Sequence, residues 1–179
     1  MNVVTIGVLA VLSLLVLPHL IVCPLHKVNF NDLLLFLNTS FRIYIFTLRE
    51  NLNEPCPYYV KEFLNETYYV FNFTTEEGCK PNTTKFNADL GNTTENTPYM
   101  NIHGWKGSNL TKELRYYNDG EKCAIFSFWE SRQTHYELHV WSIKFSISNG
   151  RKVFLTCFNV YSAYTAQLSH LRYECNHGC

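Results

Sequence analysis

The sequence predicts an all-β protein: an antiparallel eight-stranded barrel carrying a C-terminal α-helix. Three observations predict it. Aromatic residues make up 16% of the 179-residue chain, and they suit pleated, half-buried surfaces. Two tight-turn signals, Asp119-Gly120 and Asn149-Gly150, each separate two runs of strand-like residues. Near the C-terminus the apolar period changes from two to about 3.6.

The N-terminus stands apart from this pattern. Residues 1–23 hold no Asp, Glu, Lys or Arg and no Phe, Tyr or Trp, and Val3 to Leu17 is apolar apart from Thr5, Gly7 and Ser13. This reads as the core of a secretory signal peptide ending near Pro18, although the usual basic start is missing. The expected division is a signal peptide over 1–23 and one barrel domain over 24–179. An uncleaved anchor is the alternative, since the apolar stretch is long enough to reach across a bilayer. With the leader removed, the protein is expected to be extracellular, monomeric and free of the membrane.

Secretion makes the cysteines and asparagines legible. Cys23 falls in the cleavage zone, which leaves Cys56, Cys79, Cys123, Cys157, Cys175 and Cys179. Six cysteines in an oxidising compartment suggest up to three disulfides, and spacing does not choose among the 15 pairings. Six Asn-x-Ser/Thr sequons, at Asn38, Asn65, Asn72, Asn82, Asn92 and Asn109, are candidate glycosylation sites. An occupied Asn must face solvent. If Asn72 does, Tyr69, Phe71 and Phe73 point inward on the same strand.

The strands follow in order. Asn38 to Leu48 is rich in aromatic and β-branched residues, Tyr58 to Leu64 is weaker, and Thr67 to Thr74 is strong. Glu76 to Asn96 is polar and reads as loop with one short strand. Met100 to Trp105 is a further short strand. Glu113 to Tyr117 and Cys123 to Trp129 form the first hairpin. His135 to Ile147 and Lys152 to Tyr161 form the second. Ser162 to Tyr173 places Tyr164, Leu168 and Leu171 at helical spacing. Successive hairpins make a meander, and closing it removes the exposed edges. A two-sheet immunoglobulin sandwich competes, but the interval from Cys123 to Cys157 is short for its inter-sheet bridge.

Composition narrows the function. Lys and Arg together number 15, as do Asp and Glu, so the net charge is zero. That argues against a nucleic-acid binder. His135, Glu137 and His139 would share one strand face, but their spacing is not the HExxH of a zinc hydrolase helix. No Gly-x-Ser-x-Gly, no glycine-rich phosphate loop and no distinct carboxylate pair occurs. The expectation is a binding protein with no catalytic residues, no metal and no cofactor.

The residues also carry a resemblance. Cys123-Ala124-Ile125-Phe126, followed by Tyr136-Glu137-Leu138, Trp141 and Cys157, resembles the salivary lipocalins of ticks, the group that contains the histamine-binding proteins. Leu37 to Leu48 with Cys56 is similar to that family's early strands. The order of elements matches from about Asp32 to Cys179. Two positions depart from the pattern. His139 stands where the family has Trp after Tyr-Glu-Leu, and Phe30-Asn31-Asp32-Leu33 lacks its usual Trp near the first helix.

The resemblance implies a lipocalin-like barrel and three disulfides: Cys123 with Cys157 between neighbouring strands, Cys56 with Cys179, and Cys79 with Cys175, the last two exchangeable. It also implies a small host mediator as ligand, either a biogenic amine such as histamine or serotonin or a lipid such as a leukotriene. An amine needs a buried carboxylate and an aromatic wall, whereas a lipid needs an apolar cavity with a cation at its mouth. Glu137 is the candidate carboxylate, with Tyr44, Tyr69, Phe71, Tyr136, Trp141 and His139 around it. Tyr136 and Glu137 are adjacent, so a regular strand turns only one of them inward. The alternative function is an outer-surface scaffold for a host defence protein of the complement or coagulation systems.

Overall fold

The computed structural model describes residues 27–47, 57–77, 80–144 and 155–165. A short helix, α1 (Phe30–Leu37), comes first. Its start is a capping box: the Asn29 side chain accepts from the Asp32 amide, and the Asp32 carboxylate accepts from the Asn29 amide. Leu33, Phe36 and Leu37 are its fully buried residues, three and four apart on one face.

Eight strands follow: β1 (Ile43–Phe46), β2 (Tyr58–Leu64), β3 (Tyr68–Glu77), β4 (Lys80–Asn92), β5 (Pro98–Trp105), β6 (Ser108–Asn118), β7 (Cys123–Glu130) and β8 (Gln133–Trp141). Each pairs antiparallel with the next. β8 returns to β1 through Ile43 with Trp141 and Phe46 with Leu138, which closes the barrel. A 3-10 turn (Ser142–Lys144) and the helix α2 (Leu155–Thr165) complete the described chain. The expected barrel with a C-terminal helix is the observed architecture.

Alternation along the strands produces two apolar cores. Ile43, Ile45, Tyr59, Tyr69, Phe71, Ala88, Leu90, Met100, Ile102, Leu114, Ala124 and Phe126 fill the interior with the α1 residues. The opposite faces of β1, β7 and β8 offer Tyr44, Phe46, Cys123, Ile125, Leu138 and Val140, which pack beneath Cys157 and Tyr161 of α2. So α1 enters the barrel and α2 covers its outer wall. Tyr69 and Phe71 face inward as expected, with Phe73 half-buried beside them.

Three elements differ from the sequence expectation. The polar stretch from Glu76 to Asn96 is not loop but mostly β4, 13 residues long. Backbone pairing with β3, from Tyr68–Asp89 to Glu77–Lys80, holds it whatever its side chains. Only Phe86, Ala88 and Leu90 supply its inward apolar alternation. The expected strand from Lys152 to Tyr161 is helical from Leu155, because Cys157, Tyr161 and Tyr164 recur at four- and three-residue spacing against the outer wall. The expected helix from Ser162 to Tyr173 therefore begins earlier, and its residues beyond Thr165 lie outside the described ones. The strand expected to Ile147 ends at Trp141, where the chain turns.

Cys123 and Cys157 form a disulfide, with Cα atoms 6.4 Å apart. It joins a strand to α2 rather than two neighbouring strands. Glu121 sits beside it and accepts from the amides of Thr156 (3.0 Å) and Cys157 (2.9 Å), so a side chain distant in sequence caps the N-terminus of α2. Cys56, Cys79, Cys175, Cys179, the leader over 1–23 and the Asn149-Gly150 turn lie outside the described residues. Asn38, Asn65, Asn82, Asn92 and Asn109 are exposed, and Asn72 is half-buried.

Candidate ligand site inside the barrel

Strand parity decides which side chains reach the interior. On β8 it turns Glu137, His139 and Trp141 inward and leaves Tyr136 outside, stacked on Tyr164 at 5.0 Å. On β1 it turns Ile43 and Ile45 inward, so Tyr44 faces the outer core against Tyr58. Tyr44 is thus not a cavity residue. A one-residue step along a strand changes the face, and the apolar run Ile43 to Phe46 gives no polar marker of which face is which.

Glu137 and His139 are part of a connected polar chain buried among aromatics. Lys112 Nζ donates to Glu137 Oε2 at 2.5 Å, and His139 Nε2 donates to the same oxygen at 2.8 Å. The Tyr59 hydroxyl donates to His139 Nδ1 at 2.9 Å. This assignment follows from charge. Burial pushes the His139 imidazole below its ordinary value against the pull of the Glu137 carboxylate, so the ring is neutral with its proton on Nε2. Burial alone would raise the Glu137 carboxyl. The Lys112 charge and the His139 hydrogen bond outweigh that and hold it at about 2. Burial also pushes the Tyr59 hydroxyl well above its usual value, so it stays a donor.

The ends of the barrel differ. The hairpins β3–β4, β5–β6 and β7–β8 lie at one end, and α1 lies at the other with the ends of β6 and β8. At the α1 end Phe36 contacts the rings of Tyr117, Phe126, His139 and Trp141, and Trp141 Nε1 donates to the Phe36 carbonyl at 3.1 Å. At the hairpin end Trp105 meets Phe73 and Phe86 at 4.9 and 5.1 Å. The Lys112 ammonium lies 5.1 Å from the Trp105 ring centre and 5.4 Å from that of Phe128. Phe73, Phe86, Trp105 and Phe128 are all half-buried there.

So five of the seven candidate residues, Glu137, His139, Trp141, Tyr69 and Phe71, share the interior, and Tyr44 and Tyr136 face the outer core. The chain also brings in Lys112, Tyr59, Trp105, Phe126 and Phe128, which sequence reasoning did not name as site residues. A signal for Lys112 existed: Leu110, Lys112 and Leu114 share strand parity, and a cation between two apolar inward positions is unusual. His135 shares the strand parity of Glu137 and His139 but stands outside their hydrogen-bond chain. It stacks on Phe128 and bonds the Glu130 carbonyl at 3.1 Å. Among the described residues the grouping with metal-ligand atoms close together is Glu121, Cys123 and Cys157, whose two sulfurs are joined to each other.

The eight antiparallel strands close an up-and-down barrel that is entered by an N-terminal helix and flanked by a C-terminal one. The fold is lipocalin-like. No family model and no curated protein matches the sequence. Solved structures that resemble it include the siderocalin Ex-FABP, at 10% identity and a TM-score of 0.40, over 72% of this chain and 81% of that one. Lobster apocrustacyanin A1 resembles it at 13% identity and a TM-score of 0.43, over 72% and 73%. These likenesses are distant, and the lipocalin-like description rests on the strand order and closure of this barrel.

Proposed function

We propose that the chain is a secreted lipocalin-like binder that sequesters a small host mediator, and that the mediator is lipid-like rather than an amine. The observation that supports this is Lys112. A free amine would need the Glu137 carboxylate and an aromatic face, and the Lys112 ammonium already occupies that position between Glu137, Trp105 and Phe128. A second cation would have to displace it. An acceptor head, such as a carboxylate, instead gains the ammonium's remaining N–H groups, and its apolar body gains the aromatic interior.

The surface-scaffold reading keeps one observation of its own. Leu33, Phe36 and Leu37 of α1 occupy part of the interior, while Phe41, Phe63 and Trp129 are exposed on the outside. Native mass spectrometry of the secreted, deglycosylated protein with histamine, serotonin and a leukotriene separates the readings. One-to-one binding of the leukotriene alone is the expected result. An amine adduct would overturn the lipid preference. No adduct at all would move the function to the outer surface and a host protein partner.

A further inference from the structure

The described interior holds one polar atom that the network above does not use. The Tyr69 hydroxyl is fully buried and has no hydrogen-bond partner among the described residues. Its ring is held firmly, stacked on Phe71 at 5.0 Å and edge-on to Tyr59 at 6.3 Å. The residue directly across on β4 is Ala88, whose side chain is too short to offer a partner. The Tyr59 hydroxyl is turned to His139 and makes no hydrogen bond with that of Tyr69. Burial pushes the Tyr69 hydroxyl above its ordinary value, so it remains a neutral donor. Buried hydroxyls in native proteins are nearly always bonded, and an orphan destabilises the fold unless something else fills the site. Phenylalanine would pack the same ring without that penalty.

We infer that Tyr69 is a specificity residue for the ligand, and that its hydroxyl donates to an acceptor oxygen partway along an otherwise apolar molecule. This rests on the reading of an acceptor-headed, lipid-like ligand under Lys112. Two fixed polar points then select the ligand. Lys112 takes the head near the hairpin end, and Tyr69 takes an in-chain carbonyl or ether-type oxygen. A chain without that oxygen leaves the hydroxyl dry, which is the situation in which hydrogen-bonding sites discriminate most strongly.

The test uses a matched pair on the full secreted chain: stearic acid, and stearic acid carrying a mid-chain keto group, each titrated by calorimetry. The keto acid is expected to bind wild type roughly tenfold or more tightly than stearic acid. Tyr69→Phe should bring the keto acid down to the stearic acid level, leave stearic acid unchanged, and leave the melting temperature of the unliganded protein equal or higher. Equal wild-type affinities for the two acids would overturn the inference while leaving the lipid reading intact. A clearly lower melting temperature for unliganded Tyr69→Phe would also overturn it, since the hydroxyl would then be satisfied without ligand. Failure of both acids to bind would remove the lipid reading itself, and this inference with it.

Discussion

Lys112 of β6 and Glu137 of β8 form an ion pair at 2.5 Å across the barrel interior, although their strands are not hydrogen-bonded neighbours. The pair reaches over β7, whose Phe126 and Phe128 lie beside Glu137 and Lys112 in the strand register. Each charge lies in the apolar interior because the other is there.

Removing one member should therefore cost more than removing both. Lys112→Met leaves Glu137 buried with only His139, and should destabilise the protein by roughly 3–5 kcal/mol. Lys112→Met with Glu137→Leu should recover most of that loss, because no charge remains to be desolvated. Urea unfolding of the two variants checks the order. A double variant less stable than the single one would show that the pair is not what anchors these side chains.

Acid should weaken the fold in two stages. The His139 value is lowered in the native state, so from about 6.5 downward the unfolded chain takes up a proton that native His139 resists. Glu137 is also lowered, so its contribution is complete above 4.5 and is lost as pH falls from there toward about 2. That second contribution is on the order of 3 kcal/mol. Unfolding free energy should be level near neutrality, decline through the His range, then fall faster. His139→Asn should flatten the first stage.

Tyr59→Phe removes the donor to His139 Nδ1 while keeping the ring against Phe71 and Tyr69. The buried Nδ1 is left without a partner, which should cost roughly 1–3 kcal/mol. Nitrogen chemical shifts of the imidazole report the change directly. Wild type should show the neutral tautomer protonated on Nε2, and the variant a changed Nδ1 shift.

The fastening of α2 predicts a local effect. Glu121→Ala removes the acceptor for the Thr156 and Cys157 amides and should cost about 1–2 kcal/mol, the scale of a lost helix cap. Replacing both Cys123 and Cys157 by Ser opens a link spanning 34 residues, and on the chain-entropy model should cost about 4 kcal/mol. Hydrogen exchange should show α2 losing protection in both variants before the interior strands do.

Much of this architecture was legible in the chain because it depends on local alternation. The inward set Tyr69, Phe71 and Phe73 follows from a two-residue period once one face is chosen. The same reasoning misplaced Tyr44, since four consecutive apolar residues carry no alternation to read. It lost β4, whose pairing with β3 is a backbone property that Asn- and Thr-rich side chains hide. It made a strand of the first half of α2, since β-branched and aromatic residues there suit either structure until a surface to cover is known.

By itself, the sequence determined the all-β class, the order of most strands, the closing logic of the meander and the shared face of Glu137, His139 and Trp141. These are properties of neighbours along the chain. Only the tertiary structure decided that β8 meets β1, that α2 lies on the outer wall, and that Lys112 stands against Glu137 instead of leaving it free for a cation. Those are contacts between residues far apart in sequence, and barrel closure is what brings them within reach of one another.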